Sequence, residues 1–124
     1  MDLFAPTNID LYAPTTIAGA ALIALGLYYI IFWWSYWKTN YSGKLVTGGP
    51  YMIVRHPYYL GFLLLTTGLV VILPLVETIG LALISWWVIL SQIGKEEEEL
   101  IKKYGSKYRE YQKRVKWRLI PSVY

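Results

Sequence analysis

The order of apolar and polar stretches divides the chain. Thr16 to Trp37 is a run of 22 residues without a charge, long enough to cross a bilayer as a helix. Lys38 ends that run. Residues 39–57 are polar, rich in glycine and too broken to predict a helix. A second apolar tract covers 58–94 and is interrupted by Pro74 and Glu77. Two readings fit it. In one it is a helical hairpin with arms at 58–73 and 76–94. In the other it is a single helix kinked at Pro74, which leaves Glu77 costly in mid-bilayer. The hairpin is the expectation. Its first arm reaches only about 24 Å at 1.5 Å per residue, against about 30 Å of hydrocarbon. It must therefore tilt little, thin the bilayer or begin within protein.

At Lys95 the pattern changes. Glu96 to Glu99 open a helix-favouring run, and Leu100, Tyr104, Tyr108, Tyr111 and Val115 follow at spacings of four, four, three and four among basic residues. That stripe predicts an amphipathic helix over 95–121, with Gly105 inside it at a cost of about 1 kcal/mol relative to alanine. Residues 1–15 hold a near-repeat, Leu3-Phe4-Ala5-Pro6-Thr7 and Leu11-Tyr12-Ala13-Pro14-Thr15. It is too short for a repeat fold and predicts an irregular segment at the outer interface. The expected architecture is one all-α integral membrane domain. It has three transmembrane helices, one span plus a helical hairpin, and a C-terminal amphipathic cytoplasmic helix.

Composition agrees. Hydrophobic residues make up 56% and charged residues 16%, outside the range of an ordinary soluble domain. Six Trp and twelve Tyr suit aromatic belts at the headgroups. All twelve Lys and Arg lie at position 38 or later, three in the 38–57 loop and nine between Lys95 and Arg118. Asp2, Asp10 and Glu77 carry the charge elsewhere. The positive-inside rule then places the N-terminus outside, and the loop and C-terminal tail in the cytoplasm. The same rule accounts for the basic tail, so no nucleic-acid partner is expected. The N-terminus has no basic n-region, so no cleavable signal peptide is expected. Without cysteine there is no disulfide, thiolate metal site or thiol nucleophile. A single histidine argues against zinc. No Rossmann or P-loop motif is present.

The candidate chemistry gathers at 48–61, between the apolar tracts. A residue before proline is driven into extended geometry, and proline suits the first helical turn. Pro57 therefore starts the second span, with His56 just outside its N-terminus and Arg55 beside it. Free backbone N–H groups, the helix dipole and Arg55 make an anion site for a carboxylate or phosphate. Tyr59 follows, and Gly61 lets another helix or a ligand approach the backbone. The plainer reading is an interfacial turn with a snorkelling Arg and a simple turn at Gly48-Gly49-Pro50-Tyr51; both readings stand. The four glutamates wrap most of a helical turn, so one or two can face any site. Either they are acids favouring a helix N-terminus, or Glu96 or Glu97 points inward at the depth of Arg55 and His56. A carboxylate there accepts hydrogen bonds from a ribose diol or an ammonium. An anion site facing carboxylates suits a zwitterionic, sugar-bearing ligand such as S-adenosylmethionine, whose sulfonium also favours aromatic faces.

These residues carry a resemblance. Leu45-Val46-Thr47, Gly49-Pro50-Tyr51, Val54-Arg55-His56-Pro57, Tyr59 and Gly61 resemble the first signature of the integral membrane methyltransferases. These are the isoprenylcysteine carboxyl methyltransferases and the phospholipid N-methyltransferases. Glu96-Glu97, Leu100, Tyr104-Gly105, Tyr108, Tyr111, Val115 and Pro121 resemble their second signature. The similarity runs from about residue 17 to 121. It implies transfer of a methyl group from S-adenosylmethionine, bound on the cytoplasmic side, to a lipophilic acceptor from the bilayer. That acceptor would be a prenylcysteine-type carboxylate or a lipid amine. It implies a cofactor site of Gly49, Pro50, Tyr51, Arg55, His56, Tyr59, Leu60, Gly61, Glu96, Glu97, Leu100, Tyr108 and Tyr111. Arg55, Glu96 and Glu97 would be catalytic, no metal would be needed, and the tail would act as a lid. Lys116 departs from the pattern, standing where a proline is often found, and three spans are fewer than larger members have. The ending Val-Lys-Trp-Arg-Leu-Ile-Pro-Ser-Val-Tyr resembles the membrane sterol reductases, so an NADPH-dependent reductase is the rival reading. A non-enzymatic small membrane subunit is the third. A three-span chain also suits a homo-oligomer.

Overall fold

The structure, a computed structural model, describes residues 10–121, 123 and 124. Most of the predicted outer segment, with the first half of its near-repeat, lies outside the described residues. Four helices follow one another: α1 (Pro14–Asn40), α2 (Pro57–Ile72), α3 (Val76–Tyr104) and α4 (Ser106–Arg114). A 3₁₀ turn at Gly49–Met52 lies in the loop before α2. Among the described residues there is no strand.

Local chemistry sets the boundaries. Pro14 begins α1, where its missing N–H costs nothing. The helix outlasts the predicted span because Thr39 Oγ1 donates to Ser35 O and Asn40 Nδ2 to Tyr36 O, each at 2.9 Å. Pro57 begins α2 as expected, with His56 as its cap residue. The chain leaves α2 at Leu73 and re-enters helix at Val76, so the second apolar tract is a hairpin and not one kinked helix. The Thr78 hydroxyl accepts from Leu75 N at 3.0 Å and steadies that turn.

The C-terminal expectation needs correction. Residues 95–121 do not form one helix. α3 continues unbroken through the four glutamates to Tyr104. Gly105 then takes φ +57° and ψ −123°, a conformation that ends the helix and that side chains resist. The short α4 stops at Arg114, and Val115 leaves it in extended geometry. The tail turns back from there to pair with the loop before α2.

α1 and α2 run antiparallel with their backbones in contact. Gly26 faces Gly61, and Gly19 faces Gly68, seven residues along on each helix. A Cβ on Gly26 would stand 2.5 Å from Gly61 O and 2.8 Å from Leu65 N. On Gly68 it would stand 2.6 Å from Gly19 O. Small residues at such crossings let apolar helices gain dispersion contact where lipid provides no hydrophobic drive. α3 lies against the other side of α2, where Trp86 Nε1 donates to Thr66 Oγ1 at 3.1 Å. The apolar core is small and gathered at one end: Val54, Leu60, Ile89, Ile93 and Leu119.

The rest of the apolar surface points outward. Ile31 and Trp34 on α1, and Ile84 and Trp87 on α3, are all more than half exposed. A soluble monomer rarely shows so broad an apolar face; lipid is its natural cover. α1 and α3 are long and apolar enough to span a bilayer. The protein is an integral membrane protein.

Candidate functional site

The chain gathers its polar side chains at the end where α2 begins. Glu97 is their centre. It lies on the face of α3 turned toward α2 and is 3% exposed. His56 Nε2 sits 2.9 Å from Glu97 Oε2. A guanidinium nitrogen of Arg55 lies 3.5 Å from Glu97 Oε1, and Arg118 Nε lies 3.3 Å from the same oxygen. Gln112 Nε2 donates to that oxygen at 3.3 Å. A buried carboxylate so surrounded is paired and hydrogen-bonded, as burial demands. The anion that Arg55 and His56 hold is therefore one the chain itself supplies.

Backbone contacts lock the same region. Arg55 N donates to Trp117 O and His56 N to Arg118 O, each at 2.9 Å. The extended residues before Pro57 leave these N–H groups free, and the returning tail satisfies them. Loop, α3, α4 and tail thus meet at Glu97.

Glu96, one position earlier, has a different fate. Its side chain is 40% exposed. Tyr59 Oη donates to Glu96 Oε1, and His56 Nδ1 lies 3.9 Å from Glu96 Oε2. Glu96 borders a cavity of about 480 Å³, within the usual range for a small-molecule site. Aromatic side chains form much of the wall: Trp33 and Trp37 from α1, Tyr51 from the 3₁₀ turn, Tyr58 and Tyr59 from α2, and Tyr104, Tyr108 and Tyr111 from the end of α3 and from α4. Arg55, His56, Glu96, Glu99, Lys44 and Lys103 supply charge or polarity.

Two hydrogen bonds brace this wall. Trp33 Nε1 donates to Tyr51 Oη at 2.7 Å, and Tyr111 Oη donates to the Tyr51 carbonyl at 2.6 Å. Burial pushes the phenols of Tyr108 and Tyr111 far above their usual range, and desolvation also raises that of Tyr51. All three remain neutral and able to donate.

Of the residues expected at the site, Tyr51, Arg55, His56, Tyr59, Glu96, Leu100, Tyr108 and Tyr111 border the cavity. Gly49, Pro50, Leu60, Gly61 and Glu97 lie behind its wall. Gly49 has φ +57° and carries the Tyr36 ring where a Cβ would stand. Pro50 is buried in the 3₁₀ turn, Leu60 belongs to the apolar core, and Gly61 meets Gly26. Glu97 is the polar centre just described. The sequence reading missed Arg118 and Gln112, whose only signal was membership of a basic tail. It also took Trp33 and Trp37 for headgroup anchors, although their spacing of four sets both on one face of α1.

A second, smaller cavity of about 260 Å³ lies between α2 and α3, lined by Phe62, Ile84, Ser85, Val88 and Ile89 together with Tyr58 and Tyr59. The two tyrosines belong to both cavities.

Residues 15–102 match the family described as the isoprenylcysteine carboxyl methyltransferases. The chain is 37% identical over 79 residues to the protein-S-isoprenylcysteine O-methyltransferase of Schizosaccharomyces pombe, covering 63% of this chain and 34% of that protein. It is 42% identical over 74 residues to protein-S-isoprenylcysteine O-methyltransferase B of Arabidopsis thaliana, covering 58% and 37%. A Delta(14)-sterol reductase of Mus musculus is 33% identical over 87 residues, covering 65% of this chain and 20% of that protein. The chain spans about a third of the length of the methyltransferases it matches. No solved structure matches it.

Proposed function

The chain belongs to the isoprenylcysteine carboxyl methyltransferase family, and from that premise we propose that it transfers a methyl group from S-adenosylmethionine to a lipophilic acceptor at the cytoplasmic face of a membrane. The carrying observation is convergence. His56, from the first signature, and Glu97, from the second, meet at 2.9 Å beside a cavity that residues of both signatures line.

The residues present fit the methyl donor. Glu96 is a half-exposed carboxylate on the cavity wall, suited to a ribose diol or an ammonium. The aromatic wall suits an adenine face and a sulfonium. Arg55 and Tyr108 offer unmet donors to a carboxylate. S-Adenosylmethionine supplies a methyl group already activated by its sulfonium. The protein's contribution is then alignment and exclusion of water, and alignment alone can supply about 7–11 kcal/mol. A carboxylate acceptor needs no general base.

The acceptor class that fits best is a prenylcysteine-type carboxylate, with a lipid amine as the other candidate. The smaller cavity between α2 and α3 has a mostly apolar lining and shares Tyr58 and Tyr59 with the larger one. An isoprenoid chain lying there would bring its head group to the donor. In this reading α1, α2 and α3 are three spans. α2, with 16 residues, is the shortest of them, and Pro57 and Leu60 of its first turn are buried in protein. The basic loop and tail are cytoplasmic by the positive-inside rule. α4 and the residues after it are the lid of a single domain.

Titration of the purified chain with S-adenosylmethionine or its demethylated product, with NADPH as control, tests the reading. Saturable binding of the methyl donor supports it. Binding of NADPH instead would move the chain to the reductase chemistry that its likeness to the Delta(14)-sterol reductase raises. Binding of neither would favour the non-enzymatic subunit.

A further inference from the structure

The last stretch of the chain carries charge that the site does not use. Between Tyr111 and Tyr124 stand four basic residues, Lys113, Arg114, Lys116 and Arg118, and no acid. Arg118 is held by Glu97. Lys113, Arg114 and Lys116 are exposed and make no ion pair with a described side chain. Lys102, Lys107 and Arg109, on either side of Gly105, are in the same condition. The nearby exposed acids are Glu98 and Glu99 on α3 and Glu110 on α4, all before Tyr111. Positive-inside sorting explains why basic residues stay in the cytoplasm. It does not say what they touch.

Contacts fix the depth of the two basic groups. After Gly105 the chain returns along α3: Gln112 Nε2 meets Glu97 Oε1 at 3.3 Å, and Leu119 joins Ile93 in the apolar core. The carbonyls of Trp117 and Arg118 accept from Arg55 N and His56 N, just before Pro57 opens α2. Trp33 of α1 packs against Tyr58 in that first turn, with ring centroids 4.9 Å apart. Lys38 and Lys95 close the apolar runs of α1 and α3. Residues 113–117 therefore lie where the apolar helices give way to water, at the depth of lipid headgroups. Trp117, 37% exposed between Lys116 and Arg118, is the kind of side chain that belongs there. Gly105, with Lys102, Lys107 and Arg109 around it, lies about 12 Å farther along α3 than Glu97 at 1.5 Å per residue, beyond a Debye length of about 8 Å.

We infer that Lys113, Arg114 and Lys116, with Trp117 as interfacial anchor, form a surface for the phosphate-bearing headgroup of an anionic lipid in the protein's own bilayer. Ammonium and guanidinium groups both suit phosphate oxygens, and basic residues just outside a span draw anionic lipid. The surface also bears on the site. The same strand supplies the carbonyls that meet Arg55 N and His56 N, and the guanidinium that meets Glu97. Lipid held there steadies the strand in its docked position. The surface is independent of which ligand fills the larger cavity.

The test reads lipid selectivity in the intact chain. The protein is reconstituted in phosphatidylcholine bilayers, and the motionally restricted fraction of spin-labelled phosphatidylglycerol is compared with that of spin-labelled phosphatidylcholine. Wild type should prefer the anionic probe by about fivefold or more, the effect of one basic residue or more acting at the surface. Most of that preference should vanish in about 1 M salt, where the Debye length is about 3 Å. Lys113→Gln/Arg114→Gln/Lys116→Gln should bring the preference near unity. Lys102→Gln/Lys107→Gln/Arg109→Gln removes the same charge farther from the rim and should keep most of it. Equal loss in the two triple variants would mean a diffuse field and overturn the surface. An absence of preference in wild type would overturn it too, including the case in which the tail binds an oligonucleotide instead.

Discussion

One helix, α2, is held at two places by opposite means. Along its length Gly61 and Gly68 press against Gly26 and Gly19 of α1, and nothing polar is involved. At its first turn His56 is held by Glu97, Glu97 by Arg55, Arg118 and Gln112, and the backbone of residues 55 and 56 by the tail. The glycine seam depends on shape and tolerates no added carbon. The polar centre depends on charge balance, since each partner's presence justifies burying the others. The seam fixes where α2 lies, and the polar centre fixes what faces the cavity. Damage to the two should therefore differ in kind.

The largest expected effect is at Glu97. Glu97→Ala leaves Arg55, His56 and Arg118 gathered without their anion. Breaking a buried pair in this way costs about 3–5 kcal/mol. The thermal midpoint in detergent should fall sharply, and binding of S-adenosylmethionine should be lost with it. Glu96→Ala is the matched control. Its carboxylate is 40% exposed, so stability should hold while ligand affinity drops. If Glu97→Ala instead kept its stability and lost only binding, Glu97 would be a ligand contact and the centre would not be structural.

Next in size is the seam. Gly26→Leu forces a side chain into the space taken by Gly61 O and the Leu65 backbone. Overpacking of this kind typically costs about 1–3 kcal/mol, and backbone neighbours give way less readily than side chains. The midpoint should fall, and α2 should shift as a body. Gly80→Leu, where a Cβ would meet nothing within 4 Å, is the comparison that should not lower the midpoint, since leucine is the better helix former inside α3. Equal effects at Gly26 and Gly80 would remove the seam from the account.

The two regions also differ in how far the sequence disclosed them. Apolar runs announced the helices, and Pro57 announced the start of α2, because length and proline act locally. The signatures brought His56 and the paired glutamates to one site, but the run of four acids did not say which would be buried. That depended on α3 continuing past Gly94 unbroken, which sets Glu97 toward α2 and leaves Glu96 at the cavity. The seam was visible only as scattered glycines, since pairing Gly26 with Gly61 requires the register of two helices. The tail was misread as helix to 121. Its apolar stripe is helical in period, but Gly105 breaks it, and the free N–H groups of Arg55 and His56 draw the residues after Val115 out of helical geometry.

The smallest effect tests whether the polar centre extends to α1. Trp33 Nε1 donates to Tyr51 Oη at 2.7 Å, the one polar tie from the seam's own helix to the cavity wall among the described side-chain contacts with the 3₁₀ turn. Trp33→Phe keeps an aromatic ring and removes the donor. Tyr51→Phe removes the acceptor. A double-mutant cycle on the thermal midpoint isolates the pair, and a coupling of about 0.5–1.5 kcal/mol is expected for a neutral hydrogen bond. The turn itself should survive, because Tyr111 still donates to the Tyr51 carbonyl. Ligand affinity should fall only modestly, since phenylalanine keeps an aromatic ring in the cavity wall where Trp33 stands. A coupling of zero would mean that α1 reaches the site by packing alone, and that the division between shape and charge falls between α1 and the rest of the molecule.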